Sequence, residues 1–253
     1  MEEISLTIRS ANSTKTPLKW QQPYDVNIQR FYYIKGGSGY MVHDDGVNEL
    51  FQKGCIYIFP HNLKQNFVAD PDDPMDHIFF DFFSTPPIIA PQPLVYPVKE
   101  DTAAAEAIRF VDRLLREFRQ MNETGSGDWE EQKRIQRAVL EMMLRLLSAE
   151  RPIPFSKDQA VSRALVIIHE RYRTSLSVEA LATEAGFTPN AFIRHFKRVM
   201  GQTPYAYIKD YRLIKATELI SQGVTVARAA ELVGYENGSS LSRALAGKRT
   251  EKM

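Results

Sequence analysis

The chain has 253 residues, which is long for one domain and sufficient for two. Its composition, 43% hydrophobic and 25% charged, is that of a folded protein and excludes a disordered chain. The formal net charge is +1, but residues 158–253 carry 14 basic and 9 acidic side chains, whereas residues 1–157 carry 18 and 22. This asymmetry indicates an acidic module followed by a basic one.

Several features of the sequence bear on the cellular compartment. Cys55 is the only cysteine, so no internal disulfide can form and a reducing compartment is indicated. The first residues, MEEISLTIRS, are acidic and lack the apolar segment of a signal peptide. No segment approaches the ~20 apolar residues of a membrane span. We therefore expect a cytoplasmic protein that does not contact a membrane.

Residues 1–98 are predicted to form a β module. Short aromatic and β-branched segments, among them KGCIYIFP and HIFFDFF, alternate with clusters of glycine, proline and aspartate. This pattern is typical of a sandwich or barrel. The module ends in STPPIIAPQPLVYP, which contains five of the fourteen prolines.

Residues 99–150 change to a helical periodicity. The first apolar stripe has spacings of 3, 4 and 3 residues and contains Ile108, Val111, Leu115 and Phe118. A second stripe follows the segment ETGSGD, so we predict an antiparallel helical hairpin. Further apolar residues are left for another surface, and we expect them to form a homodimer interface: Leu114, Met143 and Leu147. The alternative is that these residues pack on the barrel.

The segment RPIPF interrupts the helical pattern, and residues 151–157 are predicted to be a linker to a helical domain at 158–253. That domain contains an internal repeat. SVEALATEAGF, from Ser177, and TVARAAELVGY, from Thr225, share small residues, a glycine and an aromatic residue at a spacing of 48. Each unit has a short helix, a glycine turn and a second helix, so we predict two helix-turn-helix motifs around a central helix.

A helical wheel at ~100° per residue separates the faces of the second helix in the first unit. Phe192 and Phe196 fall on one side, and Asn190 and Arg194 fall opposite them. Arginine and asparagine can bond guanine and adenine through two hydrogen bonds, and Ile193 on the flank suits a thymine methyl group. Lys197 and Arg198 are better placed for phosphates.

The second unit offers a weaker version of this face. Leu241 and Leu245 are expected in the core, and Ser239, Ser242 and Arg243 take the outward positions. Gly247 is expected to end the helix, and Lys248 and Arg249 follow as further phosphate contacts. We therefore predict that the first motif carries most of the specificity and the second mainly adds affinity.

The segments LATEAGFTPNAFIRHFK, GQTPYAYIKDYRLIKATELI and VARAAELVGYENGSSLSRAL resemble the AraC/XylS family of bacterial transcription regulators. The resemblance implies a seven-helix DNA-binding domain, a homodimer, and contact with RNA polymerase, as in an activator. It carries base-reading roles over to Asn190, Ile193, Arg194, Ser239, Ser242 and Arg243. The chain departs from the family pattern after Gly247, where the usual capping helix is not found.

The N-terminal half is similar to the cupin-type sensor domain that accompanies this family. GGSGYMVHDDG and KGCIYIFPHNLKQNF match its glycine turns, but Cys55 replaces an acidic residue and Gln65 stands where metal-binding cupins have histidine. We expect no metal, no cofactor and no enzymatic activity. The resemblance implies a small-molecule effector, for which sugars are a common class, with candidate contacts at Tyr24, Arg30, Tyr32, Tyr40, His61 and Asp81.

The fold expected is therefore α+β, with a cupin-like barrel, a helical hairpin and an all-α double helix-turn-helix domain. The expected function is effector-controlled binding to double-stranded DNA. Two alternatives stay open: a cupin-fold enzyme whose C-terminal helices serve assembly, and an interaction protein that has lost DNA binding.

Overall fold

The structure is a computed structural model that describes residues 4–17, 21–22, 28–42, 48–61, 63 and 66–250, with the side chains of 21–22 and 247–250 outside this description. The chain divides into two compact units, Met1–Phe155 and Ser156–Met253. The first contains two antiparallel sheets and a helical hairpin, and the described part of the second is helical. The α+β fold expected from the sequence is confirmed.

The five-stranded sheet of the first unit has the order β1-β8-β3-β6-β9. Its strands are β1 (Ser5–Lys15), β3 (Gln29–Gly36), β6 (Cys55–Phe59), β8 (Asp76–Thr85) and β9 (Leu94–Pro97). The second sheet has the order β2-β7-β4-β5. Its strands are β2 (Gln21–Gln22), β4 (Gly39–Val42), β5 (Asn48–Leu50) and β7 (Asn66–Ala69).

Aromatic side chains pack against one another between the two sheets. The ring centroids of Tyr32 and Phe59 lie 5.4 Å apart, and those of Phe59 and Phe67 lie 4.8 Å apart. Alternation along a strand places successive side chains on opposite faces. Phe31, next to Tyr32, therefore belongs to a different cluster, which packs under the hairpin.

The helical hairpin consists of α1 (Ala103–Glu123) and α2 (Trp129–Glu150). Thr102 and Asp128 cap the two helices, because their side chains accept hydrogen bonds from the amides of Ala105 and Glu131. The expectation that Met143 and Leu147 remain for another surface is wrong. Each is 1% exposed and belongs to the core cluster beneath the hairpin. The core-facing side of α2 is wider than a single stripe.

Leu114 is partly buried against the same core cluster, so it too is not a free outward residue. The segment expected to be a linker is also largely docked on the first unit. Ile153 is 6% exposed in the core, the amide of Ile89 donates to the carbonyl of Pro154, and Phe155 forms a bridge with Ile88. Only residues 156–158 remain between this docked segment and the next helix.

The second unit contains six helices within the residues that the structure describes. They are α3 (Gln159–Arg171), α4 (Val178–Glu184), α5 (Pro189–Met200), α6 (Pro204–Ser221), α7 (Val226–Val233) and α8 (Gly238–Thr250). The predicted repeat is found as α4–α5 and α7–α8, with α6 between them. The expectation that Gly247 ends the last helix is wrong, since α8 continues to Thr250. One glycine costs an α-helix only about 1 kcal/mol.

Arg212 of α6 connects three segments of this unit through their backbone. Its Nε donates to the carbonyl of Tyr172 at 2.7 Å, its Nη2 to that of Thr174 at 2.7 Å, and its Nη1 to that of Gly234 at 3.1 Å. Tyr172 and Thr174 precede the first repeat unit, and Gly234 is the turn of the second. The guanidinium therefore joins the segment ahead of the first repeat to the turn of the second.

Replacing Arg212 with lysine should destabilise the helical unit by about 2 kcal/mol, because one ammonium group cannot serve three carbonyls and each hydrogen bond from a charged donor is worth roughly 1.5–3 kcal/mol. Urea unfolding of the full chain, followed by circular dichroism at the helix band, measures this. Arg228→Lys is the matched control, since Arg228 makes an exposed ion pair with Glu231. Equal stability of the two variants would show that the three bonds are dispensable.

Acid should weaken the β unit through His77. Burial lowers the pKa of this imidazole from 6.5 to about 4, so the folded state favours the neutral ring. The resulting stability is complete above pH 6.5 and is lost as the pH falls towards 4. We expect about 2 kcal/mol less unfolding free energy at pH 5 than at pH 7.5. Urea titrations of wild type and His77→Phe test this, and an unchanged pH dependence in the variant contradicts it.

Candidate DNA-binding surface

The second helix of the first repeat, α5, separates its apolar and polar side chains as the wheel predicted. Phe192, Phe196 and Met200 are each 0% exposed. The side chains of Asn190, Arg194 and Lys197 are exposed on the outer face, and Ile193 beside them is partly buried. Pro189 occupies the first turn after Thr188, whose backbone is extended but whose side chain makes no capping hydrogen bond. The helix therefore starts through proline geometry.

Arg198 is held in a network that the sequence alone did not reveal. One of its Nη atoms lies 2.8 Å from His195 Nδ1, and His195 Nε2 lies 2.6 Å from Asp158 Oδ2. The other oxygen of Asp158 accepts the amide of Val161 and caps α3. Arg198 is thus oriented by His195, whereas Arg194 and Lys197 project from the helix. The link between Asp158 and His195 spans 37 residues and leaves no local pattern.

The second helix of the second repeat, α8, is more weakly anchored. Leu241 is 0% exposed, but Leu245, which was expected in the core, is only partly buried. Asn237 caps the helix, since its Oδ1 accepts the amide of Ser240 at 2.9 Å. The outward residues of this helix are Ser239, Ser242 and Arg243. The side chains of Lys248 and Arg249 lie outside the described residues.

The turns of the two repeats both require glycine, but for different reasons. Gly186 has φ +75° and no atom within 4 Å of the position that a Cβ would take, so only its backbone angle demands glycine. Gly234 has φ +82°, and a Cβ there would lie 2.7 Å from the carbonyl oxygen of Arg173. In the second turn a side chain is therefore also excluded by lack of space.

The outward surfaces of α5 and α8 share an arginine at the same position. Arg194 and Arg243 occupy equivalent outward positions, and a small polar residue precedes each by four positions: Asn190 and Ser239. Such helices can make two kinds of contact with DNA. They can bind phosphates through backbone and side-chain groups, and they can form hydrogen bonds with base edges. The surface is chemically suited to the major groove of DNA.

The candidate effector residues fall into different places. Arg30, Tyr32 and Asp81 lie on the strand faces that point between the sheets, and Arg30 Nε donates to Asp81 Oδ1 at 3.2 Å. Burial raises the pKa of Tyr32. His61 is 1% exposed, and its amide donates to the carbonyl of Ile88. Tyr40 is only partly buried, since its neighbour Met41 takes the inward position. Tyr24 and Gln65 lie outside the described residues.

Three further observations concern a metal site, the cysteine and the membrane. Among the described residues, no group of three or more histidine, cysteine, aspartate or glutamate side chains could hold a metal ion. Burial raises the pKa of the Cys55 thiol, which disfavours the reactive thiolate. No helix within the described ranges is long and apolar enough to cross a membrane.

Comparisons with known proteins agree with the helical repeat. A family model described as a helix-turn-helix domain matches residues 168–248. A putative AraC-like transcription regulator of Streptomyces lividans is 33% identical over 86 residues, which are 34% of this chain and 28% of the relative. The HTH-type transcriptional regulator AlkR of Acinetobacter baylyi is 29% identical over 85 residues, or 33% and 28%. The matched segment thus spans 28% of the length of these relatives.

Similar solved structures extend over nearly the whole chain. ToxT from Vibrio cholerae O395, bound to (E)-4-(8-methylnaphthalen-1-yl)but-3-enoic acid, has a TM-score of 0.60 at 10% identity and covers 94% of this chain and 93% of its own. ToxT from strain SCE256 with an unsaturated fatty acid has a TM-score of 0.53 at 10% identity, with 96% and 92% covered. At this identity the likeness concerns the fold. The helical repeat thus resembles the helix-turn-helix domain of AraC-like transcription regulators, and the fold of the chain is similar to that of ToxT.

Proposed function

We propose that the chain is a sequence-specific DNA-binding transcription regulator whose N-terminal β unit binds a small-molecule effector. The observation that carries this proposal is the pair of equivalent outward arginines, Arg194 and Arg243, on two helices that are each backed by a buried apolar face. The curated relatives are named as transcription regulators. This favours a regulator over the enzyme alternative.

In the proposed complex, α5 and α8 enter the major groove. Asn190, Ile193 and Arg194 contact base edges, and Lys197 and Arg198 contact phosphates. The His195–Asp158 network orients Arg198 before DNA arrives, which lowers the conformational entropy lost on binding. Ser239, Ser242 and Arg243 provide the second set of contacts, with Lys248 and Arg249 near the end of α8.

The effector site is proposed in the interior between the two sheets. There the Arg30–Asp81 pair is surrounded by aromatic rings, and the guanidinium carbon of Arg30 lies 5.8 Å from the centroid of Phe67. Aromatic walls with a few polar groups are typical of small-molecule sites. The ToxT structures hold an aromatic acid and a fatty acid. A sugar, an acid or another small ring compound would contact the Arg30–Asp81 pair and the aromatic rings around it.

A homodimer is also proposed, through an apolar seam on the outer side of the hairpin. Phe110 and Met121 of α1 are 51% and 38% exposed, and Met142 of α2 is 38% exposed. On a helical wheel at ~100° per residue, Phe110 and Met121 fall within ~20° of each other. The partly buried Leu114, Ile135 and Leu146 pack against the core cluster and border these exposed side chains. A second copy of the chain would cover this seam, and the dimer would present its DNA-binding units to RNA polymerase and to paired half-sites.

DNA binding should depend on Arg194 and Lys197 in different ways. Arg194→Ala is expected to cost about 1–3 kcal/mol at the preferred site and to relax the preference for it, whereas Lys197→Ala should weaken all sequences about equally and reduce the salt dependence. Binding is measured by fluorescence anisotropy over a salt series with preferred and scrambled duplexes. Arg243→Ala should lower affinity with less effect on preference.

The assignment is wrong if Arg243→Ala loses sequence discrimination while Arg194→Ala retains it. Exposed Arg228, which is paired with Glu231 outside the two reading helices, provides the control substitution Arg228→Ala. A wild-type chain that binds no duplex at low salt would refute the proposed function as a whole.

The dimer is tested by placing a charge on the seam. Met142→Glu should yield a monomer in sedimentation velocity with an unchanged circular dichroism spectrum, because Met142 is exposed in the single chain. Leu147→Glu, one and a half turns away, should instead unfold the β unit, since Leu147 is 1% exposed in its core. A folded dimer in Met142→Glu would place the interface elsewhere.

A further inference from the structure

The first unit contains a cavity outside the space between the sheets. It has a volume of about 400 Å³ and lies between strand β1 and the connected ends of α1 and α2. Ser10, Ala11 and Asn12 form its strand side. This volume is within the range of roughly 300–1,000 Å³ that small-molecule sites occupy.

The cavity has apolar walls. Leu115 and Phe118 of α1 line it and are 1% and 8% exposed. The indole of Trp129, in the first turn of α2, and the methyl group of Ala11 complete the apolar lining. Phe118 and Trp129 offer aromatic surfaces on which a flat ring system can pack, and Lys133 Nζ lies 4.8 Å from the centroid of the Trp129 ring.

A buried amide lies among these walls without a hydrogen-bond partner for its oxygen. Gln136 lines the cavity and is 6% exposed, and its Oε1 accepts no hydrogen bond. A buried carbonyl oxygen without a partner destabilises the fold, and a ligand that donates a hydrogen bond to it removes that cost. A half-turn of the amide exchanges its oxygen for its NH₂ group, so Gln136 can serve a ligand that donates or one that accepts.

Two cationic side chains lie beside the cavity, and both donate hydrogen bonds to backbone carbonyls of β1. Lys133 Nζ donates to the carbonyls of Arg9 at 2.6 Å and Ile8 at 3.3 Å, next to an irregularity in the β1–β8 pairing. Arg119 Nη1 donates to the carbonyl of Ser13 at 3.1 Å. Glu123 is the one carboxylate among the lining residues, and its oxygen lies 3.9 Å from Arg119. The lining therefore has a net positive charge.

We propose that this cavity binds a planar aromatic carboxylate of bicyclic size. The ring system packs on Phe118 and Trp129, the Gln136 amide hydrogen-bonds to a polar group on the ring, and the carboxylate faces Lys133 and Arg119. This site is separate from the one proposed between the sheets, and it does not depend on DNA binding.

The test uses 5-fluoroindole-3-acetate as the probe and 5-fluoroindole, which lacks the carboxylate, as its partner. Fluorine NMR titrations of the full chain should show about 2- to 5-fold tighter binding of the acetate at low salt, as expected for a partly exposed charge pair. Lys133→Met should remove this difference. Gln136→Met should weaken both probes by about 3- to 10-fold, the worth of one hydrogen bond.

Gln120→Met is the matched control, because Gln120 is exposed on α1 and does not line the cavity; it should bind both probes like wild type. The probe is located through the indole N–H signals of the two tryptophans, Trp20 and Trp129, assigned with Trp20→Phe. The Trp129 signal should shift on titration.

Gln136→Met removes an unsatisfied oxygen and should fold at least as stably as wild type, which keeps the test decisive if Lys133→Met does not fold. Binding without a shift at Trp129, or with full affinity in a folded Gln136→Met, would place the probe elsewhere and overturn the proposal. No binding of either probe would overturn it as well. A chain that binds the probe but no DNA would leave this site standing and refute only the proposed function.

Discussion

The arrangement of the helical unit depends on three hydrogen bonds from one side chain. Arg212 projects from the central helix α6 and donates to the carbonyls of Tyr172, Thr174 and Gly234. Carbonyls at a helix end lack partners within their own helix. The guanidinium donates to such groups ahead of the first repeat and in the turn of the second. A single planar group therefore fixes the positions of both backbone segments. Burial lowers the pKa of this guanidinium, but arginine remains charged in proteins.

The two repeats use this common support unequally. Behind α5 stand two phenylalanines and Met200, all fully buried, whereas the described part of α8 has Leu241 alone at that level of burial. The second repeat compensates through close backbone approach. Ala229 and Ala230 of α7 are 0% exposed, and a Cβ on Gly238 would lie 3.1 Å from the Cα of Ala227. The small residues allow α7 and α8 to pack closely, whereas α5 is held by the large apolar area that its side chains bury.

Sequence reasoning found the elements whose evidence is local. The periodicity of apolar residues gave the hairpin, and the repeat with its glycines gave both helix-turn-helix units and the outward positions of Asn190 and Arg194. Wheel positions follow from spacing alone, which explains this success. The same reasoning could not decide how wide the buried face of α2 is, because that depends on the sheet beneath it. Met143 and Leu147 were misplaced for this reason.

Contacts between distant residues were also missed. The Arg212 bonds end on backbone carbonyls, which have no residue type to recognise, and the Asp158–His195 contact joins two ordinary polar residues from different helices. The docking of residues 151–155 uses main-chain bonds to Ile88 and Ile89, so only proline composition was visible in the sequence. The cavity beside Gln136 combines β1 with both hairpin helices and had no sequence signature.

The unlike outer faces of α5 and α8 have a consequence for the polarity of recognition. Asn190, Arg194 and Lys197 differ from Ser239, Ser242 and Arg243, so a single chain bound to DNA as proposed distinguishes one direction along the duplex from the other. A pair of identical motifs related by a two-fold axis would lack such a direction. Two chains could then occupy their half-sites head to tail or head to head, and the two arrangements would turn different sides of the protein towards a neighbour on the same DNA.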